Sequence, residues 1–309
     1  MEIERNPSGA EALYLESLNL CFPGWGDARA YAWAFGRRVG GPASDLMMLR
    51  EEGVLLAGSA VSYRTLVTSA GRRALVGIMT GSWTLPAARG RGAFTTIIEE
   101  SVAMTRAHGG ALLLAFVTET NASFRRLEAA GSTLCPTRYV SGRAGLAAPG
   151  ALPFVERDLA TARDWFERFQ GARPAGSHFA YATRAEWAGQ HLDRPGQPVL
   201  IEVAGAGAAL VETHGDFDRV QAICAVGDDA RVAVVASCLQ RAATRGKRVF
   251  LFESKPQRAQ RLERELGLDA AKGYLTALPA EAGACAALLA GKTLSDVLND
   301  WSLDSGDRM

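Results

Sequence analysis

Residues 84–94 read Thr-Leu-Pro-Ala-Ala-Arg-Gly-Arg-Gly-Ala-Phe. They lie between a β-rich segment, Ala74 to Leu85, and a segment of helical periodicity, Thr95 to His108, with Ile97, Ile98, Val102 and Met104 at helical intervals. Glycines let a backbone turn tightly and approach a ligand, so that successive N–H groups converge on an anion. A helix opening near Ala93 adds its own free N–H groups and the positive end of its dipole. Arg89 and Arg91 add charge-assisted hydrogen bonds to a phosphate held there, and Pro86, which cannot donate to a sheet ladder, releases the chain from the preceding strand. A plain basic turn or a short RNA-binding patch would use the same letters. The run matches neither GxxxxGK[ST] nor GxGxxG, so the phosphate-loop NTPase and Rossmann fingerprints fail. It is also single and framed by apolar elements, unlike repetitive, disordered RNA-binding Arg/Gly tracts.

Outward from this loop the chain reads as alternating helices and strands. Ala10 to Cys21 and Asp27 to Arg38 carry helical patterns. Leu46 to Arg50, Val54 to Val67 and Ala74 to Leu85 form a predicted three-stranded antiparallel meander. Beyond the helix, Ala111 to Val117 is a nearly continuous apolar strand, the kind buried on both faces, and Asn121 to Ala130 is one more helix stopped by Gly131.

The stretch Gly142 to Pro153, GRAGLAAPGALP, is poor in charge and predicts a linker at residues 143–153 between domains spanning 1–142 and 154–309. A similar element order then recurs, with helix 160–169, strands 198–203, 207–212 and 217–226, helix 230–245, strand 249–253 and helix 257–266. Arg-Leu-Glu triplets begin at Arg126 and Arg261, so 261 − 126 = 135 residues separate them, about one domain. The second half reads as a diverged copy of the first.

Composition narrows the function classes. At 309 residues, with 48% hydrophobic and 22% charged side chains, two ordinary globular domains are expected. Thirty-four basic and thirty-three acidic residues leave a formal charge of +1, so no global field draws the protein to nucleic acid or anionic lipid, and any anion site must be local. No window is long and apolar enough for a membrane helix, and the first residues lack a basic region followed by an apolar core, which makes the expectation cytoplasmic, with no membrane partner. Five scattered cysteines without C-x-x-C spacing suggest neither a disulfide framework nor a metal site.

The order helix, helix, antiparallel strands, R-G-x-G loop, helix, strand, helix resembles the GNAT superfamily of acetyl-coenzyme A-dependent N-acetyltransferases. The segment from Val76 to Phe94 is similar to that family's fourth strand and its Q/R-x-x-G-x-G/A loop. Arg89 matches the Q/R position and Gly92 the first loop glycine, while Phe94 stands where Gly or Ala is usual. Thr120 to Gly131, TNASFRRLEAAG, is similar to a second conserved segment. The resemblance implies an α+β fold, with two tandem domains that each hold a mixed, mainly antiparallel sheet flanked by helices.

It also implies a cofactor, acetyl-coenzyme A. Trp83, Thr84 and Leu85 would run beside the pantetheine arm, and Arg89, Gly90, Arg91, Gly92, Ala93 and Phe94 would take the pyrophosphate. Asn121 would sit near the cofactor, although an Asn there also suits a helix N-cap. The acceptor would be the amine of a small molecule and the chain could form a homodimer, with no nucleic acid involved. The equivalent of the loop in the second half reads Val-Gly-Asp-Asp-Ala-Arg, residues 226–231. Its two carboxylates would oppose a pyrophosphate, so that domain is expected to be degenerate.

Acid and base are harder to place. The family's general acid is a Tyr four residues before the helix-ending glycine, and here that position is Leu127. No Asp or Glu lies between Val76 and Leu85. Glu119, at the end of the apolar strand, and Tyr139, on a predicted strand Arg138 to Val140, are the substitutes. Trp83 and Tyr63, with Met47 and Met48, suit either an apolar substrate pocket or core. A coenzyme A-binding protein without catalysis is the alternative.

Overall fold

A computed structural model describes residues 1–146 and 148–308. Ala147, in the expected linker, and Met309, at the end of the expected second domain, lie outside the described residues. The chain divides into two compact units of interleaved sequence, 1–135 with 275–297 and 136–274 with 298–308. The segment 143–153 therefore lies inside the second unit.

In the first unit the strands are β1 (Glu2–Arg5), β2 (Asp45–Glu51), β3 (Val54–Val67), β4 (Arg73–Thr84) and β5 (Leu112–Thr118), and the helices are α1 (Glu11–Cys21), α2 (Ala28–Tyr31), α3 (Ala93–Ala107) and α4 (Ala122–Ala129). β1 to β4 pair antiparallel in sequence order, which is the predicted meander with one more strand at its edge. β5 is almost wholly buried, as its unbroken apolar run requires. The helix expected over residues 27–38 is α2 followed by a widened π turn, Ala32–Gly36. Arg37 closes its end by donating to the carbonyls of Trp33 and Ala34, both at 2.6 Å. Tyr14, Leu18, Phe35, Met48 and Trp83 form one core beneath these helices.

The second unit contains β6 (Thr133–Gly142, from Pro136 onward), β7 (Phe154–Arg157), β8 (His178–Phe179), β9 (Val199–Val203), β10 (Gly207–His214), β11 (Phe217–Cys224) and β12 (Arg248–Glu253). Its helices are α5 (Leu159–Asp164), α6 (Phe166–Gly171), α7 (Arg184–His191), α8 (Asp228–Thr244) and α9 (Pro256–Leu266). β11, β10, β9 and β7 follow one another antiparallel, and β12 is parallel to β11 and antiparallel to β6. The single helix expected over 160–169 is two short ones parted at Trp165.

There follow β13 (Asp269–Pro279), α10 (Ala282–Leu289), α11 (Leu294–Leu298) and a 3-10 turn, Ser305–Arg308. Residues 275–279 of β13 belong to the first unit, beside β5, where Thr276 Oγ1 donates to the Ala115 carbonyl at 3.3 Å and the Ala280 N–H to that of Ala111 at 2.9 Å. Residues 269–274 belong to the second unit, beside β6. Among the described residues, no helix is long and apolar enough to cross a membrane.

Candidate active site

β4 and β5 are paired over only three positions, Val76 to Ile78 against Leu112 to Leu114. Past these the strands part, although β4 runs on to Thr84 and β5 to Thr118. One cause is a bulge in β4. Between Trp83, which faces Gly58, and Thr80, which faces Ala60, β4 holds one residue more than β3, and Gly81 takes φ +58°. That conformation favours glycine, and a Cβ there would meet Phe35 at 2.9 Å. The Tyr14 hydroxyl fixes the bulge by donating to the Gly81 carbonyl at 3.2 Å.

The gap between the strands is a cleft of about 600 Å³, within the range of small-molecule sites. Met79, Ser82, Trp83 and Thr84 form one wall, and Ala115, Phe116 and Val117 the other. Where strands separate, alternate backbone N–H and C=O groups lose their ladder partners and face the gap. An extended ligand bearing amides would satisfy them.

At the mouth, a 3-10 turn, Pro86–Ala88, leads to Arg89 in extended conformation. Gly92 then takes a left-handed φ of +83° and caps α3 without a side-chain bond. The amides of Gly90, Arg91, Gly92, Ala93 and Phe94 donate to no acceptor among the described residues. Arg89 and, from α4, Arg126 also line the cleft, and its lining contains no Asp, Glu or His. In a chain of net charge +1 this is a local concentration of positive charge and free donors. The donor set fits a diphosphate.

Of the residues singled out from the sequence, Trp83, Thr84, Arg89, Gly90 and Gly92 line the cleft, as do Ala93, Phe94 and Asn121. Leu85 does not, because its N–H is turned to the Leu56 carbonyl, 2.9 Å away. Arg91 is exposed and paired with Glu51 at the end of β2. Trp83 is buried, packed edge-on to Tyr14 at 5.6 Å. Asn121 accepts the Ser123 N–H at 3.2 Å as the cap of α4 and also borders the cleft.

The two acid/base candidates lie elsewhere in the chain's packing. Glu119 is exposed in the turn after β5 and is not part of the cleft lining. Tyr139 is a buried residue of the second unit, with the Arg308 guanidinium 4.4 Å from its ring centre and Phe252 edge-on at 5.6 Å. Burial pushes its phenol up, and Arg308 only partly opposes that. Tyr63, Met47 and Met48 are core, and Tyr63 donates to Asp45 at 2.6 Å.

Several lining residues had no role assigned from the sequence, among them Ser82, Cys21, Arg126 and Ser123. Ser82 shares a 2.6 Å hydrogen bond with buried Ser59. Cys21, at the end of α1, donates its thiol to the Thr84 carbonyl at 3.4 Å. Burial raises its pKa against the pull of Arg89, which keeps it protonated. Arg126 and Ser123 stand in the segment 120–131. A serine flanked by Gly81 and Trp83 carries no sequence signal of its own, since only the bulge aims it.

The second unit repeats the parting of strands but not the opening. β11 and β12 are paired only over Phe217 to Arg219 and Arg248 to Phe250, and the segment 298–308 occupies the space beyond those positions. Ser305 Oγ accepts the Phe252 N–H at 2.7 Å, and Gln190 donates to the Gly306 carbonyl at 2.5 Å. Tyr181 donates to buried Asp307 at 2.5 Å. At the start of α8, Asp228 and Asp229 are paired with Arg258 and Arg261 of α9. Arg231 is buried between Glu253 and Asp304, each at 3.1 Å.

No protein-family model matches the sequence, and no curated protein is significantly similar to it. Solved structures are similar in fold. A GCN5-related N-acetyltransferase from Anabaena variabilis superposes with a TM-score of 0.63 at 13% identity, over 92% of this chain and 74% of that one. The chain thus has the GNAT fold. A tandem GNAT protein from the clavulanic acid biosynthesis pathway superposes with a TM-score of 0.63 at 12% identity, over 90% of this chain and 99% of that one, so the likeness extends to the tandem arrangement. Eis1 from Mycobacterium abscessus gives a TM-score of 0.55 at 14% identity, over 95% and 76%.

Proposed function

We propose that the protein is an N-acetyltransferase that moves an acetyl group from acetyl-coenzyme A to the amine of a small molecule, with both substrates bound in the first unit. The observation that carries this reading is the cleft between β4 and β5, whose unpaired strand edges lead to five unpartnered amides and two arginines with no acidic side chain in the lining. Bound there, acetyl-coenzyme A would supply the acyl group as an activated thioester.

The residues of the chain do the rest by position and polarity. The loop from Arg89 to Phe94 holds the pyrophosphate through backbone donors and the start of α3. Unpaired backbone groups of β4 from Met79 onward align an extended arm, and an N–H of that edge stabilises charge developing on the carbonyl oxygen. Holding two reactants in line supplies much of the rate. Ser82, fixed by Ser59, is the hydroxyl placed to pass a proton at the strand opening. Apolar Leu127 occupies the position where the fold's usual proton donor would stand, and it faces the cleft. The second unit binds no coenzyme A, because segment 298–308 fills its equivalent cleft.

One observation favours a second reading, a coenzyme A-binding protein without turnover. Among the described residues, no carboxylate, imidazole or phenol lines the cleft. Release of free thiol from acetyl-coenzyme A across a panel of small amines separates the two. Turnover with any amine establishes the enzyme, whereas tight binding with no turnover establishes the sensor.

A further inference from the structure

The second unit contains a pocket of its own. Arg219 of β11 stands opposite Phe250 of β12, Phe217 opposite Arg248, and Phe250 opposite Ser141 of β6. Strand alternation puts these five on one sheet face. The residues between them turn to the other face, where Asp218 pairs with Arg241 of α8 and Val249 enters the core. With Arg143 and Asp269 the five enclose about 380 Å³.

The charges do not balance. Arg248 is paired with Asp216, and Arg143 stands 3.8 Å from Asp269. Arg219 makes no ion pair or hydrogen bond among the described residues, and its Nε is buried without a partner. The nearby carboxylate, Glu212, is already engaged by Arg194 at 3.0 Å, by the Gly196 N–H at 3.0 Å and by Gln221. Burial brings the Arg219 guanidinium down to about 10; Arg194 and Arg308 add to this, and the charge of Glu212 opposes it only in part. It remains a cation at neutral pH, flanked by the Phe217 and Phe250 rings at 5.5 and 5.9 Å. A desolvated charge with no ion pair or hydrogen bond of its own is costly, and a bound anion offsets that cost.

We propose that this pocket binds a small monocarboxylate with a flat apolar body. The Arg219 fork matches a carboxylate edge in bidentate fashion, and the phenylalanine rings accept the body. One unpaired cation suits one negative charge, which favours a carboxylate over a phosphate dianion.

The test is calorimetric titration of the full-length protein with phenylacetate, its neutral analogue phenylacetamide, and inorganic phosphate. Saturable binding of phenylacetate is expected, weakened about tenfold or more by loss of the charge in phenylacetamide or in Arg219→Met. Arg219→Lys, which keeps the charge and loses the planar fork, should fall between, and it serves as the folded control if the Met variant is unstable. No saturable binding of phenylacetate, binding indifferent to Arg219→Met and Arg219→Lys, or tighter binding of inorganic phosphate than of phenylacetate would each overturn the proposal.

Discussion

The hydroxyls of Ser59 and Ser82 lie 2.6 Å apart, the first fully buried in β3 and the second on the wall of the β4–β5 cleft. A hydroxyl anchored from behind is held in one orientation, which is what a proton relay requires. Ser82→Ala is expected to lower kcat about tenfold to a hundredfold with little change in KM for acetyl-coenzyme A. Ser59→Ala should give a smaller fall in kcat, because Ser82 is then present but unanchored. An unchanged kcat in Ser82→Ala would leave Ser82 as cleft wall only.

Arg89 carries the charge at the cleft mouth, since Arg91 is paired with Glu51. Arg89→Glu should weaken coenzyme A binding by about 3 kcal/mol, roughly a hundredfold, through loss of a charge-assisted hydrogen bond and gain of repulsion. Circular dichroism should remain native, because Arg89 is exposed. Calorimetry showing equal affinity would refute the loop assignment.

Leu127 lines the cleft and is buried. Leu127→Tyr should raise turnover by placing a hydroxyl where the fold can use one. The larger side chain should also lower stability, at a cost of about 1–3 kcal/mol for overpacking. A matched measurement of kcat and Tm tests both signs.

Glu212 makes the second unit acid-sensitive. Burial alone would push its carboxyl up, but the hydrogen bond from His214 and the charge of Arg194 overcome this and bring it from an ordinary 4.5 to about 2. Its folded carboxyl titrates below the unfolded one, so the contribution is complete above about pH 5 and is lost as pH falls toward 2, amounting to about 3 kcal/mol. Urea unfolding followed from pH 6 to pH 2 should show this loss, and Glu212→Gln should flatten the profile in that window.

The loop was legible because its chemistry is local. Two glycines, two arginines and a strand-to-helix transition sit within eleven residues, and Gly92 adopts the left-handed turn that the spacing implies. The meander was legible for the same reason, its strands being neighbours in sequence. The parting of β4 from β5 was not, since it depends on one extra residue at Gly81 that only pairing with β3 defines. Tyr139 looked available for catalysis as a polar residue on a predicted strand, but the packing of Arg308, far along the chain, buries it in the second unit. The Arg219 pocket was invisible too, because its cations come from two strands and the residue just after a third, all separated in sequence, and the balance of charge is known only once pairs are formed.

The division of β13 at Leu275 has a consequence for biosynthesis. The first unit spans residues 1–135, yet the strand beside β5 arrives with residues 275–279, about 140 residues later. At ordinary translation speeds of about 5–20 residues per second that is roughly seven to thirty seconds, during which β5, an apolar strand, has a bare edge on a nascent chain. A gene fragment ending near residue 142 would hold that state permanently. Such a fragment contains the whole Arg89 to Phe94 loop and is nevertheless a poor vehicle for studying it, because an open apolar edge recruits other copies of itself.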